Sequence, residues 1–194
     1  MQDRLIRPCT LADVEAAIAT IALAFVEDPF FRWAWPEPHA YLTSVQEISR
    51  VFAETGVQHG SAHCTDDHGG ATLWVPPAVE IDESVLGEII ERGVSPTLLE
   101  DFVALFGQMN AYHPKEPHWY LNVIGVDPAS RGQGYGEALM RYGLERCDQD
   151  RVPAYLESAN PRNISLYERH GFEPLTTLQV GTSPPVVLML RPAR

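Results

Sequence analysis

The sequence lacks long apolar runs and paired cysteines. No stretch of about 18 apolar residues is present, and the first ten residues contain no uninterrupted apolar segment of the kind found in signal peptides. We therefore expect a cytoplasmic protein. The three cysteines, Cys9, Cys64 and Cys147, are far apart and form no C-x-x-C pair, which argues against a disulfide framework or a zinc site.

Basic residues are also scarce. Lys and Arg total 14 against 26 acidic residues, so the net charge is −12. Such a surface repels nucleic-acid phosphates and anionic membranes and attracts cationic small molecules. We expect neither nucleic acid nor membrane as a partner, although the acidic charge could also serve solubility alone.

Internal repeats, low-complexity tracts and linkers are missing too, which predicts one mixed α/β domain over residues 1–194. A Pro- and aromatic-rich segment at 28–38 is expected to break the helical pattern. Apolar periodicity and turn residues predict the other elements in this order: a strand at 4–9, a helix after Thr10, a second helix through Ile48 and Phe52, a hairpin at 56–77, helices within 82–109, a buried strand at 118–126, a helix after Gly136, a strand at 152–158, a helix at 160–171, and strands at 172–180 and 185–191.

The stretch "VDPASRGQGYGEAL" at 126–139 contains Gly132, Gly134 and Gly136 between the buried strand and a helix. The first backbone N–H groups of a helix have no acceptor within the helix, and the helix dipole is positive there. Glycine lets an anion approach these donors and permits positive φ. The pattern predicts a pyrophosphate site. The dinucleotide fingerprint would need a glycine at Glu137, and the nucleoside-triphosphate loop a Lys followed by Ser or Thr.

Two motifs carry a family resemblance. The R-x-x-G-x-G pattern of Arg131, Gly134 and Gly136 resembles the acetyl-CoA pyrophosphate motif of the GNAT superfamily of N-acetyltransferases. The N-x₆-Y-E-x-x-G-F pattern from Asn160 to Phe172 resembles the same donor-binding half, and residues 112–173 are similar to its puromycin N-acetyltransferase group. The resemblance implies a mixed, mostly antiparallel sheet flanked by helices, acetyl-CoA as acyl donor, and direct transfer to an amine in a ternary complex.

The resemblance also implies the binding residues. The central strand would be splayed from its neighbour and would offer its backbone to the pantetheine arm of the cofactor, while the glycine loop and two asparagines would complete the site. These cofactor-binding residues are Ile124, Gly125, Val126, Arg131, Gly132, Gln133, Gly134, Tyr135, Gly136, Asn160 and Asn163. An N-cap role for Asn160 and a core role for the strand stay open beside these.

The catalytic candidates are Tyr167 and Glu157. Tyr167 matches the tyrosine to which the family gives the general-acid role, namely protonation of the departing thiolate. Glu157, at the end of a predicted strand, is the leading general base; capping the next helix or pairing with Arg162 is the structural alternative. His118 and Tyr120 are weaker base candidates.

The acceptor is less defined. The resemblance places the region between the first two helices at the acceptor pocket, where aromatic residues could form a wall or simply pack in the core: Phe30, Phe31, Trp33 and Trp35. Together with the acidic charge they favour a small cationic amine. A protein or peptide N-acetyltransferase, a non-catalytic acyl-CoA binding module and a homodimer all stay open.

A metal is not expected. Several potential ligands lie around the predicted hairpin turn without a recognised ligand spacing, and the implied chemistry needs none: His59, His63, His68, Cys64, Asp66 and Asp67.

Overall fold

The computed structural model describes residues 5–194, so Arg4, the first residue of the predicted first strand, lies outside the described residues. One seven-stranded sheet is formed by β1 (Ile6–Pro8), β2 (Ala62–Thr65), β3 (Gly70–Val75), β4 (Trp119–Val126), β5 (Ala154–Ser158), β6 (Glu173–Leu178) and β7 (Val186–Arg191). The strand order is β1-β2-β3-β4-β5-β7-β6. Among the strands of residues 5–194, only β4 and β5 pair in parallel. The predicted mixed, mostly antiparallel sheet is confirmed.

Helices cover both faces of the sheet. They are α1 (Val14–Ala24), α2 (Pro29–Ala34), α3 (Pro38–Gln58), α4 (Glu83–Gly93), α5 (Leu99–Tyr112), α6 (Tyr135–Asp150) and α7 (Pro161–Arg169). Among residues 5–194, no helix has the length and apolarity needed to cross a membrane.

Two apolar clusters show how the layers are built. Leu73 packs with residues of α1 and α3, whereas its neighbour Trp74 packs with residues of α6 and α7. Consecutive residues of a strand point to opposite faces of a sheet, so α1 and α3 cover one face and α6 and α7 the other.

The prediction for residues 28–38 is wrong in part, because α2 forms there. Asp28 caps this helix by accepting hydrogen bonds from the backbone N–H groups of Phe30 (3.0 Å) and Phe31 (3.3 Å). Pro29 occupies the first helical position, where its missing N–H costs nothing and its fixed φ suits a helix. Proline therefore starts this helix rather than preventing it.

Helix α7 follows its sequence signals closely. Asn160 is its N-cap and accepts from the N–H of Arg162 at 3.1 Å, and Pro161 is the first helical residue. Gly171, just beyond the helix, has φ +88°, a conformation that favours glycine. These caps fix where α7 starts and ends, and so where Tyr167 lies.

Candidate active site

Strands β4 and β5 separate within the sheet. Their parallel pairing ends at Leu121 and Leu156, although β4 runs on to Val126. Along its other edge, β4 stays paired with β3 through residues 124–126. The edge of these residues that faces β5 therefore has no strand partner in the described chain. Such an edge can add an extended ligand by backbone hydrogen bonding.

A β-bulge in β4 accompanies this separation. Val123 pairs with Leu73 and Leu121 with Trp74, which leaves Asn122 without a partner in β3. Leu121 packs in the cluster under α6, whereas Val123 packs in the cluster under α1. Residues two apart in a regular strand would share one face. The bulge therefore changes which face the following side chains reach, as bulges near functional sites often do.

Glu157 lies within a hydrogen-bonded group of polar side chains. Its Oε1 accepts from the hydroxyl of Tyr155 at 2.9 Å, and its Oε2 accepts from the hydroxyl of Tyr120 at 3.1 Å. Burial raises the pKa of Glu157, and the two hydroxyls oppose that rise. The Nδ2 group of Asn122 donates weakly to the Tyr120 hydroxyl at 3.4 Å, while its buried Oδ1 has no hydrogen-bond donor among residues 5–194.

Both structural alternatives for Glu157 are absent from the described chain. Asn160, not Glu157, caps α7, and no ion pair joins Glu157 to Arg162 in residues 5–194. The carboxylate instead bridges two tyrosines on adjacent strands. A partly buried carboxylate with a raised pKa is a chemically suitable proton acceptor.

A pair of histidines packs beside these tyrosines. The Nε2 atoms of His113 and His118 are 3.0 Å apart, and Nδ1 of His118 is 2.8 Å from the carbonyl oxygen of Glu116. Because a carbonyl only accepts, this network assigns the proton of neutral His118 to Nδ1, and His113 donates from Nε2. The His113 ring contacts Tyr155, with ring centres 4.8 Å apart. Burial and His118 lower the pKa of His113 to about 4.

Tyr167 is buried on α7, in the apolar cluster that also contains Leu121 of β4 and Leu156 of β5. Burial raises the pKa of its phenol above the ordinary value, and the negative charge of Asp28 adds to this rise. Hydrogen bonding with Ser158 and Asn163 acts in the opposite direction. The phenol consequently stays protonated at neutral pH, which is the form that a proton donor needs.

One cavity of about 1590 Å³ brings many of the predicted residues together, including Glu157, Tyr167, Asn163 and Ile124. Its wall also contains Phe30, Phe31 and Trp35. The predicted Trp33 is not part of this lining; it donates to the Thr182 hydroxyl at 3.0 Å and stacks on Phe102. These aromatic residues also belong to an apolar core cluster. The two alternatives, a cavity wall and core packing, therefore both apply to this segment.

The cavity is rich in acidic side chains. Those in the lining are Asp28, Glu80, Asp82, Glu83, Glu91, Glu116 and Glu157. Lys115 is the one Lys or Arg among the lining residues of the described chain. The excess of negative charge seen in the whole sequence is therefore present at this site, where it favours cations.

The glycine loop lies outside the cavity, at the start of α6. Gly132 and Gly134 have φ of +72° and +86°, values that favour glycine. Gly136 differs, because an alanine would fit there. A Cβ at this position would lie 3.7 Å from Leu166 and 3.9 Å from Val126, both ordinary contact distances. Glycine inside a helix costs about 1 kcal/mol relative to alanine. Packing within the protein therefore does not account for this glycine.

The other side chains of the loop make local contacts. Arg131 donates to the carbonyl of Ala24 at 2.8 Å, at the end of α1, and Gln133 donates to the carbonyl of Ala129 at 3.1 Å. Tyr135 is buried, and its hydroxyl donates to Asp67 in the β2–β3 turn. These contacts hold the loop between α1 and the hairpin.

The candidate metal ligands do not assemble as one set. His68 and Cys64 lie near Asp13, with donor atoms within 4.8 Å of one another. Both carboxylate oxygens of Asp13 already accept from Arg7 at 2.8 Å. A cation bound there would compete with the guanidinium. The ring of His63 instead packs on Tyr142.

The model of the Acetyltransferase (GNAT) family matches residues 22–172. The chain belongs to this family. It is an acetyl-CoA-dependent acyltransferase, as the family and the relatives named as N-acetyltransferases show. The match covers the bulged strand, the glycine loop and α7, and it confirms the GNAT fold expected from the two motifs.

Individual relatives agree with this GNAT assignment. A Schizosaccharomyces pombe protein named uncharacterized N-acetyltransferase is 26% identical over 181 residues, covering 82% of this chain and 70% of that one. A Corynebacterium glutamicum structure, described as histone acetyltransferase HPA2 and related acetyltransferase, has a TM-score of 0.71 at 26% identity, covering 98% and 97% of the two chains. Drosophila melanogaster polyamine N-acetyltransferase, which forms N-acetylagmatine, has a TM-score of 0.63 at 17% identity, covering 97% and 99%.

The GNAT assignment gives Gly136 a physical reason. The amides that open α6 have no intrahelical acceptors, and the side-chain-free Gly136 keeps one face of that helical turn accessible. A pyrophosphate needs this access. The residues present therefore fit acetyl-CoA, with the loop suited to its diphosphate and the free edge of β4 suited to its pantetheine arm.

Sequence reasoning missed Asn122, Tyr155, His113 and Asp28. Asn122 could have been noticed as the one strongly polar residue within the apolar run "WYLNVIGV". Tyr155 and His113 carry no local signal, because strand register and loop packing bring them to Glu157. Asp28 precedes a proline, which is the signature of a helix N-cap followed by Pro at the first helical position.

Proposed function

We propose that the enzyme transfers the acetyl group of acetyl-CoA to a primary amine of a small cationic molecule, by direct attack in a ternary complex. One observation carries the proposal: Glu157, Tyr167 and Ile124, the first residue of the free edge of β4, line one acidic, aromatic cavity. The acetyl thioester supplies the acyl group. The residues of the chain supply the binding, orientation and proton transfers.

Glu157 is the proposed general base. An alkylammonium must lose a proton before its nitrogen can attack, and a carboxylate at hydrogen-bond reach can accept it. Tyr120 and Tyr155 hold both carboxylate oxygens. The rings of His113 and His118 pack against Tyr155. These tyrosine and histidine side chains provide polar groups through which a proton could pass from Glu157 to solvent.

Tyr167 is the proposed proton donor to the departing sulfur. Its hydroxyl is protonated at neutral pH, and it lines the same cavity as Ile124 of β4. Because burial raises the pKa of the phenol, complete proton transfer to a thiolate is less favourable than from an ordinary tyrosine. A hydrogen bond that stabilises the developing negative charge is then the larger part of its contribution.

The cofactor would be held by three groups of residues. The loop Arg131–Gly136 would bind the diphosphate, residues 124–126 the pantetheine arm, and Asn160 and Asn163 would add contacts near the start of α7. The cap of Asn160 uses its Oδ1 atom, which leaves its amide N–H₂ group for such a contact. Cys147 is not proposed as a nucleophile, because it is buried and burial raises the pKa of its thiol to about 12.

The cationic acceptor class is supported by the acidic lining of the cavity and by the structural likeness to a polyamine N-acetyltransferase. Membership of the puromycin N-acetyltransferase group, the single domain over residues 1–194, a cytoplasmic location and a homodimer stay predictions from the sequence.

The direct test is a screen that measures CoA release from acetyl-CoA with antibiotics, polyamines, amino-acid derivatives and short peptides as acceptors. We expect small cationic amines to give the highest kcat/KM. Preference for anionic or neutral amines would overturn the acceptor class, and preference for peptides would favour a protein N-acetyltransferase instead.

A further inference from the structure

Asp28 is a buried carboxylate in the wall of the cavity. It is 7% exposed, and it lines the cavity together with aromatic residues of the same segment. Its Oδ1 caps α2 through the two backbone N–H groups described above. No Lys, Arg or His among residues 5–194 forms an ion pair with it. Buried charges are normally paired, so this carboxylate lacks the expected counter-ion.

The capping role explains an oxygen at this position but does not explain a charge. Asn and Ser cap helices as well as Asp does, and neither would bury an ionised group. Burial of the Asp28 carboxylate is unfavourable, as the rise in its pKa indicates. The sequence therefore keeps a carboxylate in an apolar wall where a neutral cap would serve the helix equally well.

The aromatic side chains around Asp28 suit a cation. Phe31 packs edge-on against Phe25, with ring centres 5.1 Å apart, and lies 5.7 Å from Trp35. All three rings line the same cavity as Asp28. A positive charge is attracted both by a buried carboxylate and by the faces of aromatic rings.

The cation bound there is not the reacting nitrogen. That nitrogen must become neutral, and an anion beside it without a route for the proton would hold it in the ammonium form. Glu157 has tyrosine and histidine neighbours that suit the reacting amine, whereas Asp28 has apolar rings. The charge of Asp28 nevertheless acts on Tyr167, so both groups belong to one site.

We propose that Asp28 and its aromatic neighbours bind a second, non-reacting positive charge on the acceptor, so that the preferred acceptors are diamines or aminoguanidines. This inference rests on the proposed function and adds a specificity-determining residue to it. It predicts that a monoamine of the same shape is a poorer substrate because it leaves the buried carboxylate without a partner.

Two amines of equal shape test the proposal. 4-(Aminomethyl)benzylamine carries a second ammonium group where 4-(hydroxymethyl)benzylamine carries a hydroxyl. We expect wild type to prefer the diamine by about 10- to 100-fold in kcat/KM, the range for a hydrogen bond to a charged group. The Asp28→Asn variant keeps the helix cap and removes the charge. It should reduce the preference to within about twofold while leaving the KM for acetyl-CoA unchanged. An effect of the lost charge on Tyr167 would change the rates of both amines alike and would cancel from their ratio.

Two further variants make the outcome decisive. Asp28→Ser also caps α2 without charge and should behave as Asp28→Asn does. Glu54→Gln removes one negative charge from the exposed surface of α3 and should keep the wild-type preference. The proposal is overturned if Asp28→Asn retains the preference, if wild type shows none, or if Asp28→Asn weakens both amines equally.

Calorimetric titration of each enzyme with 4-(aminomethyl)benzylamine separates this inference from the proposed function. If wild type acetylates neither amine, the proposed function fails, and the titration still decides the role of Asp28. Binding that is about tenfold or more weaker in Asp28→Asn supports a cation site. Equal binding by the two proteins rejects it.

Discussion

Tyr167 combines a buried phenol with two hydrogen-bonding neighbours and a nearby negative charge. Replacing Tyr167 with Phe keeps the ring that packs against Phe172 and removes only the hydroxyl. We expect kcat to fall about 10- to 100-fold, the value of one hydrogen bond to a developing charge, with little change in CoA affinity. Steady-state kinetics combined with a CoA binding titration measures both quantities. Unaltered turnover would remove Tyr167 as the proton donor.

Glu157→Gln should separate activity from stability. Loss of the base should lower kcat/KM by about 100-fold, and the pH dependence of stability should change as well. Because the folded pKa of Glu157 lies above its ordinary value of 4.5, its stabilising contribution is complete below that ordinary value and is lost as pH rises through the folded pKa.

The glutamine variant lacks this titration. Its free energy of unfolding, compared with that of wild type, should therefore rise with pH across that window and level off above it. Urea denaturation at several pH values measures the difference. A variant that is as active as wild type would contradict the general-base role of Glu157. A variant whose stability relative to wild type falls as pH rises would contradict its raised pKa.

At the scale of elements, the start of α6 has two glycines with different roles, Gly134 at the N-cap and Gly136 in the first turn. A Cβ at Gly136 meets only ordinary contacts, so Gly136→Ala should stabilise the helix by up to about 1 kcal/mol. The same methyl group should raise the KM for acetyl-CoA by about tenfold, because it lies at the amides offered to the diphosphate.

Gly134→Ala provides the contrast. Its φ of +86° makes alanine unfavourable by about 1–2 kcal/mol, so this variant should lose stability. Thermal unfolding and acetyl-CoA kinetics on both variants distinguish ligand access from backbone strain. If Gly136→Ala binds acetyl-CoA as wild type does, the diphosphate does not lie at this turn.

Most elements could be predicted from local signals. Asn160, Pro161 and Gly171 mark the ends of α7, and the alternation of apolar and turn residues marks the β2–β3 hairpin. The bulge at Asn122 could not be predicted, because it depends on how β3 and β4 align rather than on either sequence alone. The surroundings of Glu157 depend in the same way on the pairing of β4 with β5, which brings Tyr120 beside Tyr155. Residue identities suggested the chemistry, whereas strand register decides which groups contact one another.

At the scale of the whole molecule, the chain has a net charge of −12, and the lining of its cavity is acidic as well. Salt screens such fields, with a Debye length near 10 Å at 0.1 M and about 3 Å at 1 M. The KM for a cationic acceptor should therefore rise with added salt, and more steeply for a diamine than for a monoamine. Kinetics in a sodium chloride series measure this. Equal salt dependence for charged and neutral acceptors would show that the acidic field has no part in acceptor binding.

The central claim is that the donor lies along the free edge of β4, with its diphosphate at the first turn of α6. A crystal structure with CoA tests it most directly. We expect diphosphate oxygens within hydrogen-bond distance of the backbone amides around Gly134 and Gly136, and the pantetheine arm paired with residues 124–126. CoA bound elsewhere, with β4 and the start of α6 making no contact to it, would contradict the account.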